Sequence, residues 1–146
     1  MRALRDDDGP NGAGERVEPP TGLAAVEAEA LAARQRSAGL AIDIREHGSR
    51  TLSPGLDQAA YRILQEALTN AARHGAGSAV VEIGFRPTSL ELTVTNPTGP
   101  ASAGAEGHGI VGMRERAALL GGSLEAGASD GRFRVRASLP YDSEGA

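Results

Sequence analysis

Apolar positions recur along this chain with two different periods, and each change of period marks a predicted element. Helical spacing runs from Thr21 to a stop at Gly39, and again over the longest periodic segment, 56–74. Strict alternation of apolar and polar residues is typical of strands with one solvent-exposed face. It begins at Leu40 and recurs later in two pairs of adjacent predicted strands. The predicted order is helix 21–38, strand 40–45, helix 56–74, strands 78–86 and 89–96, helix 110–120, and strands 123–127 and 133–139.

Turn residues support these boundaries. Ser53-Pro54-Gly55 is a helix start, Pro87-Thr88 joins a hairpin, and an Ala-Ser-Asp-Gly turn at 128–131 joins the last two strands. Because the strands come in pairs and do not alternate strictly with helices, the pattern favours an α+β fold over a Rossmann-type sheet. We expect a two-layer α/β sandwich, with a mixed, mostly antiparallel sheet packed on three helices.

The chain has 146 residues, which is a length for one domain. Residues 1–20 contain Gly, Pro and an acidic run without apolar periodicity, and they are predicted to be a linker. The predicted domain covers 21–141, and 142–146 form a polar tail. Residues 97–109 are almost entirely Gly, Pro, Ala and Ser, and a loop of that length inside a compact domain is usually functional or disordered.

Composition excludes several classes of site. The chain has no Cys, and all 15 basic residues are Arg, so it has no Lys. Disulfides, thiolate metal sites, Schiff bases, Walker-type phosphate loops and the strand lysine of protein kinases are therefore excluded. A net charge of −4 argues against nucleic-acid binding, and the sequence contains neither a long apolar run nor a signal peptide. Any nucleotide site here must bind phosphates without an ammonium group.

A row of polar side chains runs along the helix at 56–74. Residues three and four apart share a helix face, and this face carries Arg62, Glu66, Asn70, Arg73 and His74. One interpretation is a solvated face with an Arg62–Glu66 ion pair. The other follows from Asn70, which is a poor helix former at mid-helix and whose amide oxygen can ligate Mg²⁺ from the wall of a cleft.

Glycines cluster where the long loop meets the next helix, in the segment GAEGHGIVGM at 104–113. Such a junction either brings bare backbone N–H groups and a helix N-terminus against an anion, or serves only as a flexible connector. Two arginines of the following helix, Arg114 and Arg116, could supply positive charge in place of Lys.

The two segments together are more specific. YRILQEALTNAARH at 61–74, followed further along by GHGIVGMRERAALLGG, resembles the ATP-binding domain of sensor histidine kinases and, within them, the nitrate/nitrite-sensor subgroup. The wider family includes gyrase, mismatch-repair and heat-shock-chaperone ATPases, which share the Bergerat ATP-binding fold. The resemblance covers roughly residues 21–140.

This resemblance implies the cofactors ATP and Mg²⁺ and a role for each motif residue. Asn70 would bind Mg²⁺, and Glu66 would polarise the metal shell or a water. Arg73 and His74 would approach the phosphates, and residues 97–106 would form the ATP lid. The glycine box would bind the nucleotide, with the N–H groups of its glycines facing the phosphates; it comprises Gly107, His108, Gly109, Gly112 and Met113.

Two positions depart from the family pattern, both at the adenine end. Asn96 occupies the position of an acidic residue that accepts a hydrogen bond from the adenine amino group. Its amide oxygen can still accept that bond, although without charge assistance. Phe133 lies near a position where the family often has Thr, and it could pack against a purine or fill the core.

None of the three histidines, His47, His74 and His108, is followed by an acidic residue as in an H-box. We therefore expect the phosphoacceptor helix to lie outside this chain, which would begin just after the dimerisation region. The partners implied are an H-box helical domain, acting in cis or in trans, and a downstream response regulator. Neither nucleic acid nor membrane contact is expected of this segment, which would be cytoplasmic or the cytoplasmic part of a membrane-anchored sensor.

The leading hypothesis is thus the catalytic domain of a sensor histidine kinase, which transfers the γ-phosphoryl group of ATP to a histidine on a separate helix. Two alternatives remain open. One is a catalytically weak or inactive nucleotide-binding module of the same fold. The other is an anti-sigma-factor serine kinase, which shares the fold and phosphorylates a serine on a partner protein.

Overall fold

A computed structural model describes residues 25–74, 76–98 and 108–141. Within them the predicted element order is confirmed. The elements are α1 (Ala25–Ser37), β1 (Ala41–His47), α2 (Pro54–His74), β2 (Ser78–Phe85), β3 (Ser89–Pro97), α3 (His108–Leu119), β4 (Ser123–Ser129) and β5 (Arg132–Pro140). The main difference is that α3 begins at residue 108 and not at 110, inside the glycine-rich segment. The predicted linker, the Thr21 cap, most of the long loop and the polar tail lie outside the described residues.

The five strands form one mixed sheet in the order β1-β2-β3-β5-β4. Strands β1 and β2 are parallel, and the chain passes between them through α2. All the other neighbours are antiparallel, as two hairpins, β2–β3 and β4–β5, joined through the β3–β5 pair. This arrangement confirms the predicted mixed, mostly antiparallel sheet.

Strand alternation puts the apolar side chains on the sheet face that packs against the helices. On β3 these are Leu90, Leu92 and Val94, and β5 contributes Val135, Ala137 and Leu139. On the other face of β5, Arg132, Arg134 and Arg136 are exposed and Ser138 is half-buried. The second layer consists of the three helices, so the α+β sandwich expected from the sequence is confirmed.

Helix α2 is the central element of the helical layer. Its start is capped as predicted: the Ser53 hydroxyl accepts a hydrogen bond from the Leu56 N–H at 3.4 Å, and Pro54 occupies the first helical position. Its buried stripe packs into the core through Leu56, Ala60, Ile63, Leu64, Ala67, Leu68 and Ala71. Burial of that stripe turns the Glu66–Asn70 face away from the sheet. None of the helices in the described ranges is long and apolar enough to cross a membrane.

The turn between β4 and β5 needs two residues with positive φ angles, and this requirement made it predictable from the sequence. Asp130 and Gly131 both have positive φ angles, 53° and 75°, as a two-residue hairpin turn requires. Asp and Gly tolerate this left-handed region better than other residues do. The predicted Ala-Ser-Asp-Gly turn is therefore confirmed.

A stability prediction follows from Gly122, where the chain leaves α3 for β4. A Cβ there would lie 2.3 Å from the Ser138 carbonyl oxygen and 3.2 Å from the Leu139 Cα, both backbone atoms that cannot easily move. We expect Gly122→Ala to lower the free energy of unfolding by about 1–3 kcal/mol in urea titrations. Gly127→Ala is the matched control, because a Cβ at Gly127 meets nothing within 4 Å. Equal stability of the two variants would contradict this packing.

Candidate functional site

The polar face of α2 borders a cavity of about 320 Å³ in which residues of all three helices meet. Helix α2 contributes most of the wall, α1 a second part, and α3 a single residue near its N-terminus. The lining residues are Leu31, Arg34, Gln35, Gln65, Glu66, Thr69, Asn70, Arg73 and Gly109. The cleft-wall interpretation of this face is thereby favoured over a fully solvated face.

Among the site residues predicted from the sequence, four share this cavity: Glu66, Asn70, Arg73 and Gly109. They come from two motifs that are well separated in the chain, and the packing of α3 on α2 brings them together. His74 is exposed at the end of α2 and is not part of the lining. Gly107 lies outside the described residues, and His108 is described only as the first residue of α3.

Gly109 and Asn70 approach each other so closely that a side chain at Gly109 would disturb the contact. A Cβ built there would lie 3.2 Å from Asn70 Nδ2 and 3.4 Å from Oδ1. Because Gly109 has no side chain, the first turn of α3 packs directly against the side-chain amide of Asn70. The Gly109 N–H lies in the first turn of α3, and the N–H groups of a first turn have no partner within the helix.

Gly112 has a different environment from the one expected. It lies in the interior of α3, where an N–H group bonds to the carbonyl four residues earlier. A Cβ there would lie 3.3 Å from Arg116 Nη1 and 3.8 Å from Glu66 Oε1, so the small size of Gly112 makes room for those two side chains. Its contact with a nucleotide stays a prediction.

Glu66 forms an ion pair with Arg116 of α3, with Nη1 and Oε2 3.1 Å apart. The Glu66 side chain is 30% exposed and the Arg116 side chain is 29% exposed. No Arg62–Glu66 pair occurs among the described residues, so the partner suggested by helical spacing is wrong. The contact is an ion pair and not a hydrogen bond, because Arg116 Nη1 is buried without a hydrogen-bond partner among the described residues. The other carboxylate oxygen, Glu66 Oε1, is also buried without such a partner, so the carboxylate keeps spare acceptor capacity.

The two arginines suggested as phosphate charges are thus engaged elsewhere. Arg116 neutralises Glu66, and Arg114 donates a long hydrogen bond of 3.4 Å from Nε to the Leu124 carbonyl oxygen of β4. Both contacts tie α3 to its neighbours. In this arrangement neither guanidinium lines the cavity.

Met113 contributes its side chain to the hydrophobic core. That side chain is completely buried, with 0% exposure, and Ile110 of the same helix is buried with it. The Met113 side chain therefore anchors α3, and a contact of this residue with a nucleotide stays a prediction.

The two residues expected at the adenine end are neighbours across strands. Asn96 of β3 is paired in register with Phe133 of β5, and alternation puts both side chains on the helix-facing side of the sheet. Asn96 is 5% exposed and is the buried polar residue of the described core. Its Nδ2 donates to the Pro97 carbonyl oxygen at 3.0 Å, which leaves Oδ1 without a donor among the described residues.

Sequence reasoning missed the contribution of α1. Arg34 and Gln35 line the cavity, and Arg34 Nη2 donates to the Tyr61 hydroxyl at 2.6 Å. The one available signal was the position of Arg34 beside the apolar stripe of the first helix. That signal does not tell which of the other helices the arginine will meet.

Comparison with curated proteins shows similarity to sensor histidine kinases, although no protein-family model matches the chain. Sensor histidine kinase YxjM of Bacillus subtilis is 34% identical over 129 residues, which cover 86% of this chain and 32% of that protein. The signal transduction histidine-protein kinase/phosphatase UhpB of Salmonella typhimurium is 36% identical over 83 residues, covering 55% of the chain and 16% of UhpB. The chain thus spans about a third or less of these relatives.

Solved structures show the same fold at lower sequence identity. The histidine kinase domain of a blue-light activated kinase from Erythrobacter litoralis superposes with a TM-score of 0.63 at 18% identity, covering 82% of this chain and 59% of that one. The catalytic domain of histidine kinase ThkA gives a TM-score of 0.61 at 11% identity, covering 77% of this chain and 87% of the other.

A double-mutant cycle tests the pairing of Glu66. We expect Glu66→Gln and Arg116→Gln to show a coupling of about 0.5–1 kcal/mol in urea unfolding, since the pair is partly shielded from water. The matched cycle of Glu66→Gln with Arg62→Gln should be additive. Coupling to Arg62 and not to Arg116 would contradict the described geometry.

Proposed function

The chain carries the ATP-binding catalytic domain of a sensor histidine kinase, and from this premise we propose that it binds Mg·ATP beside α2 and phosphorylates a histidine. The observation that carries the proposal is the single cavity that unites Glu66, Asn70 and Arg73 with Gly109 of the lid-side helix. The phosphoacceptor would be a separate H-box helix, in cis or in trans. Because the chain spans only part of its relatives, this activity and its partners are part of the proposal.

The donors around the cavity fit a magnesium ion held together with nucleotide phosphates. The Asn70 amide oxygen and the Glu66 carboxylate are hard oxygen ligands of the kind Mg²⁺ accepts, directly or through water. Glu66 Oε1 is buried and has no hydrogen-bond partner among the described residues, so it can accept a bond from a metal-bound water. Mg²⁺, when bound, would neutralise charge on the phosphate oxygens.

Phosphate binding in this chain would rely on arginine and backbone amides. The Arg73 guanidinium lines the cavity, and the first N–H groups of α3 have no partner within the helix. A guanidinium can bind two phosphate oxygens with parallel hydrogen bonds. We further propose that His74, Gly107 and His108 approach the phosphates.

The adenine would bind at the other end, near the last residues of β3. The Asn96 Oδ1 atom can accept a hydrogen bond from the adenine amino group, because the Nδ2 donor is already engaged by the Pro97 carbonyl. Phe133 is half-buried at the paired position and offers an aromatic surface at the same edge.

In this mechanism the protein mainly supplies position and charge, since phosphoryl transfer has a loose transition state that needs little covalent assistance. The incoming histidine nitrogen forms a bond to the γ-phosphorus while the bond to the ADP oxygen breaks. Asn70 and Glu66 would hold the metal ion and its water ligands, and Arg73 would bind the phosphate oxygens. The resulting phosphohistidine would pass its phosphoryl group to a response regulator, and all these steps are proposed to take place in the cytoplasm.

Asn70 provides the direct test of binding. We expect Asn70→Ala to abolish Mg²⁺-dependent ATP binding in calorimetry, because the change removes the amide oxygen and leaves the helix intact. Gln58→Ala, an exposed change on the same helix and outside this cavity, is the control and should bind ATP like the unchanged chain. Unchanged ATP affinity in Asn70→Ala would refute the assignment of the site.

Transfer is tested separately from binding. With labelled ATP and a supplied helical segment that carries an H-box, we expect label on the histidine and none when that histidine is replaced by Ala. Binding of ATP without transfer to H-box segments of several kinases would favour the inactive-module alternative. Acid-stable label on a serine of a partner protein would favour the serine-kinase alternative.

A further inference from the structure

One charged side chain of the cavity belongs to neither sequence motif. Arg34 lies on α1, yet it lines the same cavity as Asn70, Arg73 and Gly109. Its guanidinium donates from Nη2 to the Tyr61 hydroxyl of α2 at 2.6 Å, and this bond joins α1 to α2. The hydroxyl therefore holds one edge of the guanidinium, and no other hydrogen bond of this guanidinium occurs among the described residues.

The charges around the cavity do not cancel. Glu66 is paired with Arg116, which lies outside the lining. Arg34 and Arg73 form no ion pair within the described residues. Within the described part of the chain, the wall thus carries two guanidinium charges without a counter-charge, an arrangement that attracts an anion more negative than one divalent cation can neutralise.

The position of α1 indicates which part of such an anion Arg34 meets. Helix α1 packs on β1 and α2, at one side of the sheet, whereas Asn96 and Phe133 lie on the pair β3–β5. Strand β2 separates β1 from β3, and each strand spacing is about 4.8 Å. A nucleotide with its adenine at Asn96 and its phosphates along α2 would therefore point its terminal phosphate toward α1.

We infer that Arg34 binds the terminal phosphate of Mg·ATP and makes the site prefer ATP over ADP. This inference rests on the proposed function and adds a residue from a third helix to the phosphate end of the site. The guanidinium, already oriented by Tyr61, offers paired donors that match two oxygens of one phosphate group.

The experiment measures dissociation constants of the full chain for Mg·ATP and Mg·ADP by calorimetry. Arg34→Gln should weaken Mg·ATP binding about tenfold, as expected for the loss of a charged hydrogen bond, and should change Mg·ADP binding much less. Arg34→Lys keeps the charge and should retain part of the ATP preference. Tyr61→Phe removes only the anchor and should cause a smaller loss in the same direction.

Arg62→Gln is the matched control, because it removes the same charge from an exposed site on α2 that lies outside this cavity. It should leave the ratio of the two dissociation constants unchanged, and thermal unfolding should show that every variant remains folded.

Equal weakening of ATP and ADP by Arg34→Gln, no effect on either, or the same effect from Arg62→Gln would each overturn the role of Arg34. Failure of the unchanged chain to bind Mg·ATP would instead refute the proposed function, so the two failures are distinguishable.

Discussion

The close approach of α3 to the polar face of α2 is the contact on which the site depends. Gly109 makes it possible, since a Cβ there would lie 3.2 Å from the Asn70 amide nitrogen, and Gly112 leaves room for the Arg116 side chain that pairs with Glu66. Met113, one turn after Gly109, anchors α3 through full burial in the core. This packing places the first turn of α3, whose N–H groups have no partner within the helix, beside the cavity.

The charge arrangement follows from this packing in a chain without lysine. The packing of α3 on α2 brings Arg116 to Glu66, and that ion pair neutralises a carboxylate that would oppose the proposed phosphate binding. The net positive charge of the wall then resides on Arg34 and Arg73, from two other helices. Guanidinium groups replace ammonium groups here without loss of charge and with better geometry for phosphate oxygens.

Much of the fold could be predicted because its signals are local. The Ser53-Pro54 cap, the Asp130-Gly131 turn and the period-two strands each depend on neighbouring residues, and all of them appear in the structure. The start of α3 was predicted two residues late, because glycines disfavour helix in isolation while packing on α2 compensates for that cost.

The sequence by itself determined the order of the elements, the polar face of α2 and the pairing of two motifs that identifies an ATP-binding domain. The tertiary structure alone decided that Glu66 meets Arg116 and not Arg62, that Met113 is core, and that Arg34 joins the cavity. The physical reason is that these contacts join residues far apart in the sequence. Helical spacing determines which residues of one helix are neighbours, whereas contacts between helices depend on how closely and at what angle they pack.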